Sequence, residues 1–359
     1  MSDGCIISVD LMGGDFGAHA LIPGASRFLE TNPDTRFLLY GDEKVCLPLL
    51  DFHKQLKHKS TFHHCDVSIA MDEKPREALR RGRNVSSMWC AIEAVKKKQA
   101  SAVLTAGNTA VLIPMARFCL SKISGIDRPS LIAFWPTVRG QCIVLDVGAS
   151  MGADVSHMIQ LSILGGAFVR AVWNEKRPSV GLLNLGSEET KGHEVLREAS
   201  RLLREHDFGN FEYKGFIEAS DISNGFVDVV VAEGFSGNIA IKAAEGAARR
   251  IADILKESLS RTLLSRIGCF FAKNALKEVK DKMDPRNFNG GVLLGVDGLV
   301  VKGHGSGDSK SIFNALHIAK RMSQSNFIDT VKTDIQRSHY SLSDISGKEA
   351  ISEDRKKYG

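Results

Sequence analysis

The sequence has 359 residues, of which 43% are hydrophobic and 25% are charged, an ordinary mixture for a globular protein of one large or two average domains. No stretch approaches the roughly 18 apolar residues of a membrane-spanning helix, and the N-terminus lacks the basic and apolar regions of a signal peptide. We therefore expect a cytoplasmic protein. The seven cysteines are spread singly, so the sequence indicates neither a disulfide framework nor a zinc site.

The formal net charge of +5 is concentrated in one segment of the chain. Between residues 249 and 282 there are nine Lys or Arg and four Asp or Glu, so this segment accounts for the whole excess. Leucines, isoleucines and phenylalanines recur among these cations at helical spacing, and Gly268 is predicted to divide the segment into two helices. A basic amphipathic segment of this kind indicates an anionic surface or an acidic macromolecule as partner.

The N-terminal region predicts a βα arrangement. A short apolar strand over residues 6–10 opens into a turn with Gly13, Gly14 and Asp15, and a helix follows over residues 18–31. The two glycines allow a ligand close to the backbone, and Asp15 is predicted to cap the helix. Because the turn is not a GxGxxG sequence, it does not indicate a dinucleotide site, and we expect no cofactor.

Two further strands, over residues 36–42 and 66–72, are predicted to extend the sheet in parallel, with a helical stretch between them. A group of four arginines follows, at positions 76, 80, 81 and 83. Such a group is either a solvated helix face or a docking point for an acidic partner. The sequence leaves both interpretations open.

A strand that begins at residue 102 breaks at a polar turn and continues as a helix. The turn contains Gly107, Asn108 and Thr109. Its backbone amides either cradle an anion at the helix N-terminus or are simply capped by side chains. Both alternatives remain open from the sequence.

Residues 130–137 and 142–150 are two apolar runs separated by a short polar stretch, which predicts an antiparallel hairpin. Asp146 and Asp154 suggest a metal site, but no third ligand follows at a useful spacing, so we expect no metal. A long helix is predicted over residues 155–173.

The segment from Gly181 to Gly192 is the most informative stretch of the sequence. A buried strand is predicted to end near Asn184, and Gly186 and Lys191 follow before an amphipathic helix. Lys191 therefore lies in a loop at the carboxyl end of a strand, where open α/β sheets bind ligands. The alternative is a solvated surface lysine.

Two later segments repeat this theme. A β-branched run ends in a loop that contains Gly237 and Asn238, and a helix begins there. An Asp-Gly turn within residues 293–308 predicts a second hairpin, after which His304 lies among three glycines that give a ligand access to it. A final helix is predicted over residues 309–330.

We interpret residues 1–335 as a single α/β catalytic domain, with a basic amphipathic helical projection at about residues 249–283. Residues 336–359 have little apolar content and are predicted to form a mobile polar tail.

Taken together, the motifs resemble the phosphate acyltransferase family of bacterial phospholipid synthesis, from Ser8 to about Ala319. The motifs that carry the resemblance are, in order, VDLMGGDFG, TAGNTA, GIDRP, LDVGA, LLNLGSEETKG, AEGFSGNIAIK and GGVLLGVDGLVVKGHGSGD. The family's Gly-Ala-Asn is Gly148-Ala149-Ser150 here.

The resemblance implies an α/β, Rossmann-like three-layer sheet similar to the isopropylmalate dehydrogenase and phosphotransacetylase group. It implies a homodimer, peripheral on the inner face of the cell membrane, that makes acyl-phosphate reversibly from long-chain acyl carrier protein thioesters and inorganic phosphate. A membrane glycerol-3-phosphate acyltransferase would consume the product. No nucleic-acid partner is expected.

The residue chemistry agrees with that reaction. Phosphate is already an anionic nucleophile, and a thiol with a pKa of about 8.5 is a good leaving group, so neither an activated serine nor a strong general acid is required. The site instead needs cations and amides that hold phosphate and stabilise an oxyanion. The predicted catalytic residues are Lys191, Asn238 and His304, and the predicted substrate-binding residues are Gly13, Gly14, Asp15, Gly107, Asn108, Thr109, Asn184, Gly186 and Gly237.

Two other functions remain open: a phosphate acyltransferase that acts on acyl-coenzyme A, and a membrane-associated scaffold that binds lipid without catalysis. A hydroxyacid dehydrogenase is disfavoured because the sequence has neither a dinucleotide fingerprint nor a clustered metal triad.

Overall fold

The fold is a single mixed sheet with helices on both faces. The computed structural model describes residues 5–208, 211–283 and 290–337. Within these ranges eleven strands form one sheet. They are β1 Ile6–Asp10, β2 Arg36–Gly41, β3 Ser60–His64, β4 Ala102–Thr105, β5 Ser130–Thr137, β6 Gly140–Leu145, β7 Ser179–Leu183, β8 Glu212–Ile217, β9 Val229–Val231, β10 Gly291–Leu294 and β11 Val300–Lys302.

The named helices connect these strands. They are α1 Ala18–Thr31, α2 Glu43–Asp51, α3 Lys54–His58, α4 Pro75–Gly82, α5 Ser87–Lys96, α6 Thr109–Leu120, α7 Val155–Trp173, α8 Glu194–Glu205, α9 Ala219–Asn224, α10 Gly234–Ser260, α11 Leu263–Phe271, α12 Lys273–Met283 and α13 Ser309–Ser323. Residues 327–337 are also helical.

The sheet consists of two parallel halves that run in opposite directions. The strand order is β3-β2-β1-β4-β11-β10-β5-β6-β9-β7-β8. Strands β3, β2, β1, β4 and β11 are mutually parallel, and so are β6, β9, β7 and β8. Between them, β10 is antiparallel to both β11 and β5, and β5 is antiparallel to β6. The two predicted hairpins are therefore confirmed, and they form the junction between the halves.

The helices make the fold a three-layer structure. Alternate residues of a strand point to opposite faces of the sheet. Ala102 and Leu104 pack in a core cluster with residues of α1, α7, α8 and α13, whereas Val103 between them packs in a second cluster with α5 and α6. The predicted α/β three-layer architecture is confirmed.

Some local predictions were wrong. The strand predicted over residues 66–72 is a loop, and the third strand of the sheet is β3, whose side chains are mostly exposed at the sheet edge. Because an edge strand needs no apolar face, its polar sequence gave no periodic signal. Asp15 does not cap α1, since the N-cap residue is Gly17.

Helix boundaries near the C-terminus also differ from the prediction. Gly268 lies within α11 and does not break it; the interruption comes earlier, where Thr262 caps α11 by accepting a hydrogen bond from the Ser265 amide. The helix predicted over residues 309–330 ends at Ser323, and helical structure resumes at residue 327. Of the predicted tail, residues 338–359 lie outside the described residues.

One described helix, α7, is long and apolar enough to cross a membrane by length and composition. Most of its residues are buried in the protein, where its side chains contribute to the larger core cluster. Its apolar character is explained by its central position between α8 and the second half of the sheet.

The first turn of α10 is fixed by close packing against the loop after β6. A Cβ at Gly237 would overlap the backbone oxygen of Asp146, and Gly246 on the same helix has open space around it. We predict that Gly237→Ala lowers the free energy of unfolding by about 1–3 kcal/mol, because the added methyl forces backbone movement. Gly246→Ala, the matched control, should be neutral or stabilising by up to about 1 kcal/mol.

Urea denaturation followed by circular dichroism measures both values. Equal stability of the two variants would show that the start of α10 does not depend on this contact.

Candidate active site

Three loops meet at the carboxyl ends of β1, β4 and β11. A Cβ at Gly13 would lie 2.6 Å from the backbone nitrogen of Gly107, and one at Gly14 would lie 2.8 Å from the oxygen of Gly305. The backbone amide of Asp15 donates to the same Gly305 oxygen at 2.8 Å. The structure therefore brings together three loops that the sequence predicted separately, and glycine is required where they touch.

A buried polar network lies beneath these loops. Thr105 Oγ1 donates to the carboxylate of Asp10 at 2.7 Å, and burial raises the pKa of Asp10. The ammonium group of Lys302, at the end of β11, donates to the backbone oxygens of Ala106, at 3.1 Å, and Gly303. Burial lowers the pKa of Lys302 to about 8, with a further contribution from the charge of Lys242. Lys302 thus joins two of the three loops from below.

His304 is held by its own loop. The Ser306 amide donates to His304 Nδ1 at 3.3 Å, so a neutral ring carries its proton on Nε2. Burial lowers the pKa of His304, and the positive charge of Lys242 lowers it further. The ring is therefore a neutral hydrogen-bond donor at neutral pH, suited to polarise or bind an oxygen atom and not to serve as a cation.

The side chain of Asn108 holds the loops of the site together through hydrogen bonds. Its Oδ1 accepts from the Ala110 amide and caps α6, and its Nδ2 donates to the backbone oxygens of Met71, at 2.9 Å, and Glu73, at 3.1 Å. Thr109, the first residue of α6, is half-buried. Of the two interpretations of this turn, capping is the one that the hydrogen bonds favour.

A second set of loops lies at the carboxyl ends of β6 and β9. The buried carboxylate of Asp146 accepts hydrogen bonds from the amides of Leu131, Ala149 and Ser150 and from Ser150 Oγ, at 2.8–3.0 Å. The side chain of Asn238 packs beside Gly148, where a Cβ would lie 3.4 Å from Nδ2 of Asn238.

The loop that carries Lys191 is tied at several points. Asn184 Nδ2 donates to the backbone oxygen of Lys191 at 3.0 Å, and Asn184 Oδ1 accepts from the Leu185 amide. Arg197 of α8 donates to the oxygen of Gly192 at 3.0 Å, and Arg204 pairs with Glu189. The Lys191 side chain itself is exposed. Asn184 therefore positions the loop, and Gly186 packs against the Lys191 stem.

Helix α10 connects the two sets of loops. It begins at the carboxyl end of β9 with Asn238 in its second turn, and Lys242 follows one turn later, a rise of about 6 Å. Lys242 is close enough for its charge to act on both Lys302 and His304. The helix thus runs from the loop of Gly148, where Asn238 packs, toward the loop of His304. Lys191 lies at the end of β7, which pairs directly with β9.

The sequence analysis missed Lys302, Lys242 and the structural role of Asp146. Lys302 had a usable signal, since a lysine directly after an apolar strand and before a glycine-rich loop lies at a ligand-binding edge. Lys242 had no such signal in the sequence, because its neighbours in the structure come from distant parts of the chain. Among the described residues, no group of three or more His, Cys, Asp or Glu is arranged to hold a metal ion.

Comparison with known proteins agrees with this architecture. The structure is similar to a phosphotransacetylase from Streptococcus pyogenes, with a TM-score of 0.59 and 14% sequence identity over 90% of this chain and 95% of the other. It is also similar to a branched-chain phosphotransacylase from Enterococcus faecalis V583, with a TM-score of 0.56 and 14% identity over 90% of this chain and all of the other. At this level of identity the likeness shows the fold.

Sequence relatives give the class of enzyme. The phosphate acyltransferase of Rhizobium meliloti (strain 1021) is 51% identical over 333 residues, which cover 93% of this chain and 96% of the relative. That of Methylocella silvestris (strain DSM 15510 / CIP 108128 / LMG 27833 / NCIMB 13906 / BL2) is 50% identical over 93% of this chain and 90% of the relative. Fold and relatives together define an acyltransferase.

The family model described as "Fatty acid synthesis protein" matches residues 5–330. The chain belongs to this family and, within it, to the phosphate acyltransferases.

The structural role of the Asn108 side-chain hydrogen bonds can be tested by mutation. We predict that Asn108→Ala lowers the free energy of unfolding by about 1–2 kcal/mol, because it removes a helix cap and two ties to the 71–73 loop. Asp42→Ala removes only the cap of α2 and serves as a matched control, with a smaller loss. Urea denaturation measures both. An unchanged stability together with weaker substrate binding would instead show that Asn108 contacts the substrate.

Proposed function

We propose that this enzyme transfers a long-chain acyl group reversibly between acyl carrier protein and inorganic phosphate, and that the acyl-phosphate supplies glycerol-3-phosphate acylation in phospholipid synthesis. The observation that carries the proposal is the Lys191 loop. Hydrogen bonds from Asn184 and Arg197 to its backbone and the Arg204–Glu189 ion pair hold this loop, while the Lys191 side chain stays exposed. A cation on a held loop at the end of a strand is suited to stabilise the anions of an acyl transfer to phosphate.

The reaction needs no nucleophile from the protein. A phosphate oxygen attacks the thioester carbonyl carbon, the carbonyl oxygen becomes an oxyanion, and the carbon–sulfur bond then breaks to release a thiolate. We assign Lys191 to the oxyanion or the phosphate, and Asn238 to the carbonyl group. His304, as a neutral donor, adds a hydrogen bond without adding charge. Gly13, Gly14, Gly107 and Gly237 allow the segments around the site to pack closely against one another.

An acidic carrier protein as partner is supported by part of the arginine group on α4. Arg81 is engaged with Glu73, and Arg83 lies over the Trp89 ring, so these two guanidinium groups have structural roles. Arg76 and Arg80 are exposed on the same helix and available for an acidic surface.

An anionic membrane surface as second partner is supported by the exposure of α10 and α11. Of the 27 residues of α10 only Gly234 and Gly237 are buried, and α11 has no buried residue. The large apolar side chains exposed on these two helices are Phe235, Ile239, Ile251, Ile254, Leu255, Leu263, Leu264, Ile267, Phe270 and Phe271. Exposed apolar side chains among excess cations fit an interfacial helix.

This surface supports a cytoplasmic enzyme, peripheral at the inner face of the membrane. There it would deliver a water-labile product to a membrane glycerol-3-phosphate acyltransferase. We also propose that the enzyme is a homodimer.

The deciding experiment is phosphate-dependent turnover of a long-chain acyl carrier protein thioester, with acyl-phosphate trapped and quantified. The same assay with acyl-coenzyme A separates the two donor classes. A higher kcat/KM for the carrier protein is expected, because only the carrier protein offers an acidic protein surface to Arg76 and Arg80. A preference for coenzyme A would contradict the assignment of the donor, and no acyl-phosphate from either would contradict the function.

Lys191→Ala should lower kcat/KM by at least about 100-fold, which corresponds to about 3 kcal/mol of transition-state stabilisation. Its unfolding curve should be unchanged because the side chain is exposed. Lys176→Ala removes an exposed lysine ahead of β7, at the other end of that strand, and should keep wild-type kinetics. Near wild-type turnover in a folded Lys191 variant would rule out its role.

The triple variant Leu263→Ser, Ile267→Ser, Phe270→Ser should lose binding to vesicles that contain anionic lipid and keep its activity in solution, because it removes apolar contact area only from α11. Vesicle co-sedimentation measures the binding. Val138→Ser with Phe226→Ser, exposed apolar residues outside this segment, is the matched control and should bind normally. Loss of fold or dimer without a selective loss of vesicle binding would show that α11 packs against protein.

A further inference from the structure

The first two turns of α10 carry two large apolar side chains that face solvent. Phe235 is 56% exposed and Ile239 is 52% exposed. They are four residues apart on the same helix, so their side chains lie on one face of it. Together they expose apolar surface at the point where α10 leaves the sheet.

Met151 extends this pair into a patch. A Cβ at Gly234 would overlap the backbone oxygen of Ser150, so the start of α10 is in direct contact with the loop after β6. Phe235 follows Gly234 and Met151 follows Ser150, and consecutive α-carbons are only about 3.8 Å apart. The Met151 side chain is 79% exposed. Met151, Phe235 and Ile239 therefore share one small region of surface, which we call the apolar patch.

The apolar patch belongs to the second set of loops of the candidate active site. Asn238, which directly precedes Ile239, packs beside Gly148, and Gly237 packs against the backbone of Asp146. These segments follow β6 and β9, which are paired and parallel. Ligands of open α/β sheets bind outside the carboxyl ends of such strands. The patch thus lies where a substrate is expected.

The apolar patch is distinct from the surface of α11. Ile239 and Ile251, the next large apolar side chain exposed on α10, are 12 residues apart, which is a rise of about 18 Å along the helix. The exposed cations Lys242 and Arg249 lie between them. A membrane that contacts α11 therefore leaves the apolar patch unexplained.

The class of enzyme indicates what covers the patch. The chain belongs to the phosphate acyltransferases, so its substrate carries an acyl group. An acyl chain is stabilised in proportion to the apolar area that it removes from water, and apolar surface exposed beside a site is typical of a ligand groove. Asn238, which we assign to the carbonyl group of the thioester, is flanked on α10 by residues of the patch.

We propose that Met151, Phe235 and Ile239 bind the acyl chain of the thioester and give the enzyme its preference for long chains. The assignment rests on the proposed function and identifies the part of the site that distinguishes its substrates. A short chain covers little of the patch and a long chain covers more of it, so the patch contributes to kcat/KM in proportion to chain length.

The first test is the double variant Phe235→Ala, Ile239→Ala. Both side chains are exposed and alanine favours the helix, so the fold should be retained. We expect kcat/KM for a hexadecanoyl thioester to fall at least about 10-fold and that for a butanoyl thioester to fall less than about three-fold, because the short chain makes few of the lost contacts. Both chains are assayed on the acyl carrier protein and on coenzyme A.

Two further variants show whether apolar area is the cause. Phe235→Leu keeps a large apolar side chain and should retain most of the preference for the long chain. Met151→Ser, which changes the loop after β6 and leaves the helix intact, should reduce the preference in the same direction as the double variant. Phe118→Ala removes a phenylalanine of similar exposure near the end of α6 and is the matched control, with wild-type ratios expected.

Two outcomes overturn the proposal. An equal loss for both chain lengths would show that these residues shape the reacting centre and do not bind the chain. Loss of the dimer in the double variant, measured by light scattering, would show that a second subunit covers the patch.

Binding of a fluorescent long-chain polyene fatty acid separates this proposal from the proposed function. Binding that the double variant weakens at least about 10-fold and Phe118→Ala does not, in an enzyme that makes no acyl-phosphate, would support the patch and reject the function. Acyl-phosphate formation with an unaltered chain-length preference in the double variant would support the function and reject the patch.

Discussion

The reversal of strand direction in the middle of the sheet is the constraint on which the site depends. Because β10 and β5 are antiparallel to their neighbours, the strands of the two parallel halves point in opposite directions. Their carboxyl ends therefore lie at opposite ends of the sheet along the strand axis. In a fully parallel sheet, the loops that follow the strands would all lie at the same end of the sheet. Here a helix has to connect them, and α10 does so by starting in the second half and carrying Lys242 to the first.

The close packing at the start of α10 sets where that helix points. Asp146 is buried, and its carboxylate accepts four hydrogen bonds that fix the loop after β6. Gly234 and Gly237 lie directly against this loop, with no room for a side chain. A buried carboxylate with all its acceptors used is strongly directional, so it defines the helix start far better than apolar packing would. The Ser150 hydroxyl supplies one of these bonds.

Most polar side chains near the site hold the backbone, and few remain for chemistry. Asn108 and Asn184 use their amides to tie loops, and Lys302 uses its ammonium group in the same way. The Lys191 side chain is exposed, and Lys242 pairs with Glu245 on the exposed surface of α10. Such an arrangement is suited to electrostatic catalysis, in which donors are held before the charge develops and little reorganisation is needed.

The sequence by itself determined the strand–loop–helix order, the two hairpins, the helix over residues 155–173 and the loops that carry polar residues, because local periodicity and glycine positions encode them. It did not reveal β3, whose polar side chains at a sheet edge have no apolar pattern. Only the tertiary structure decided the opposite directions of the two halves, the commitment of Asn108 to capping, and the approach of Lys242 to His304. Each of these depends on contacts between segments far apart in the chain, and no local pattern of residues specifies which distant segments meet.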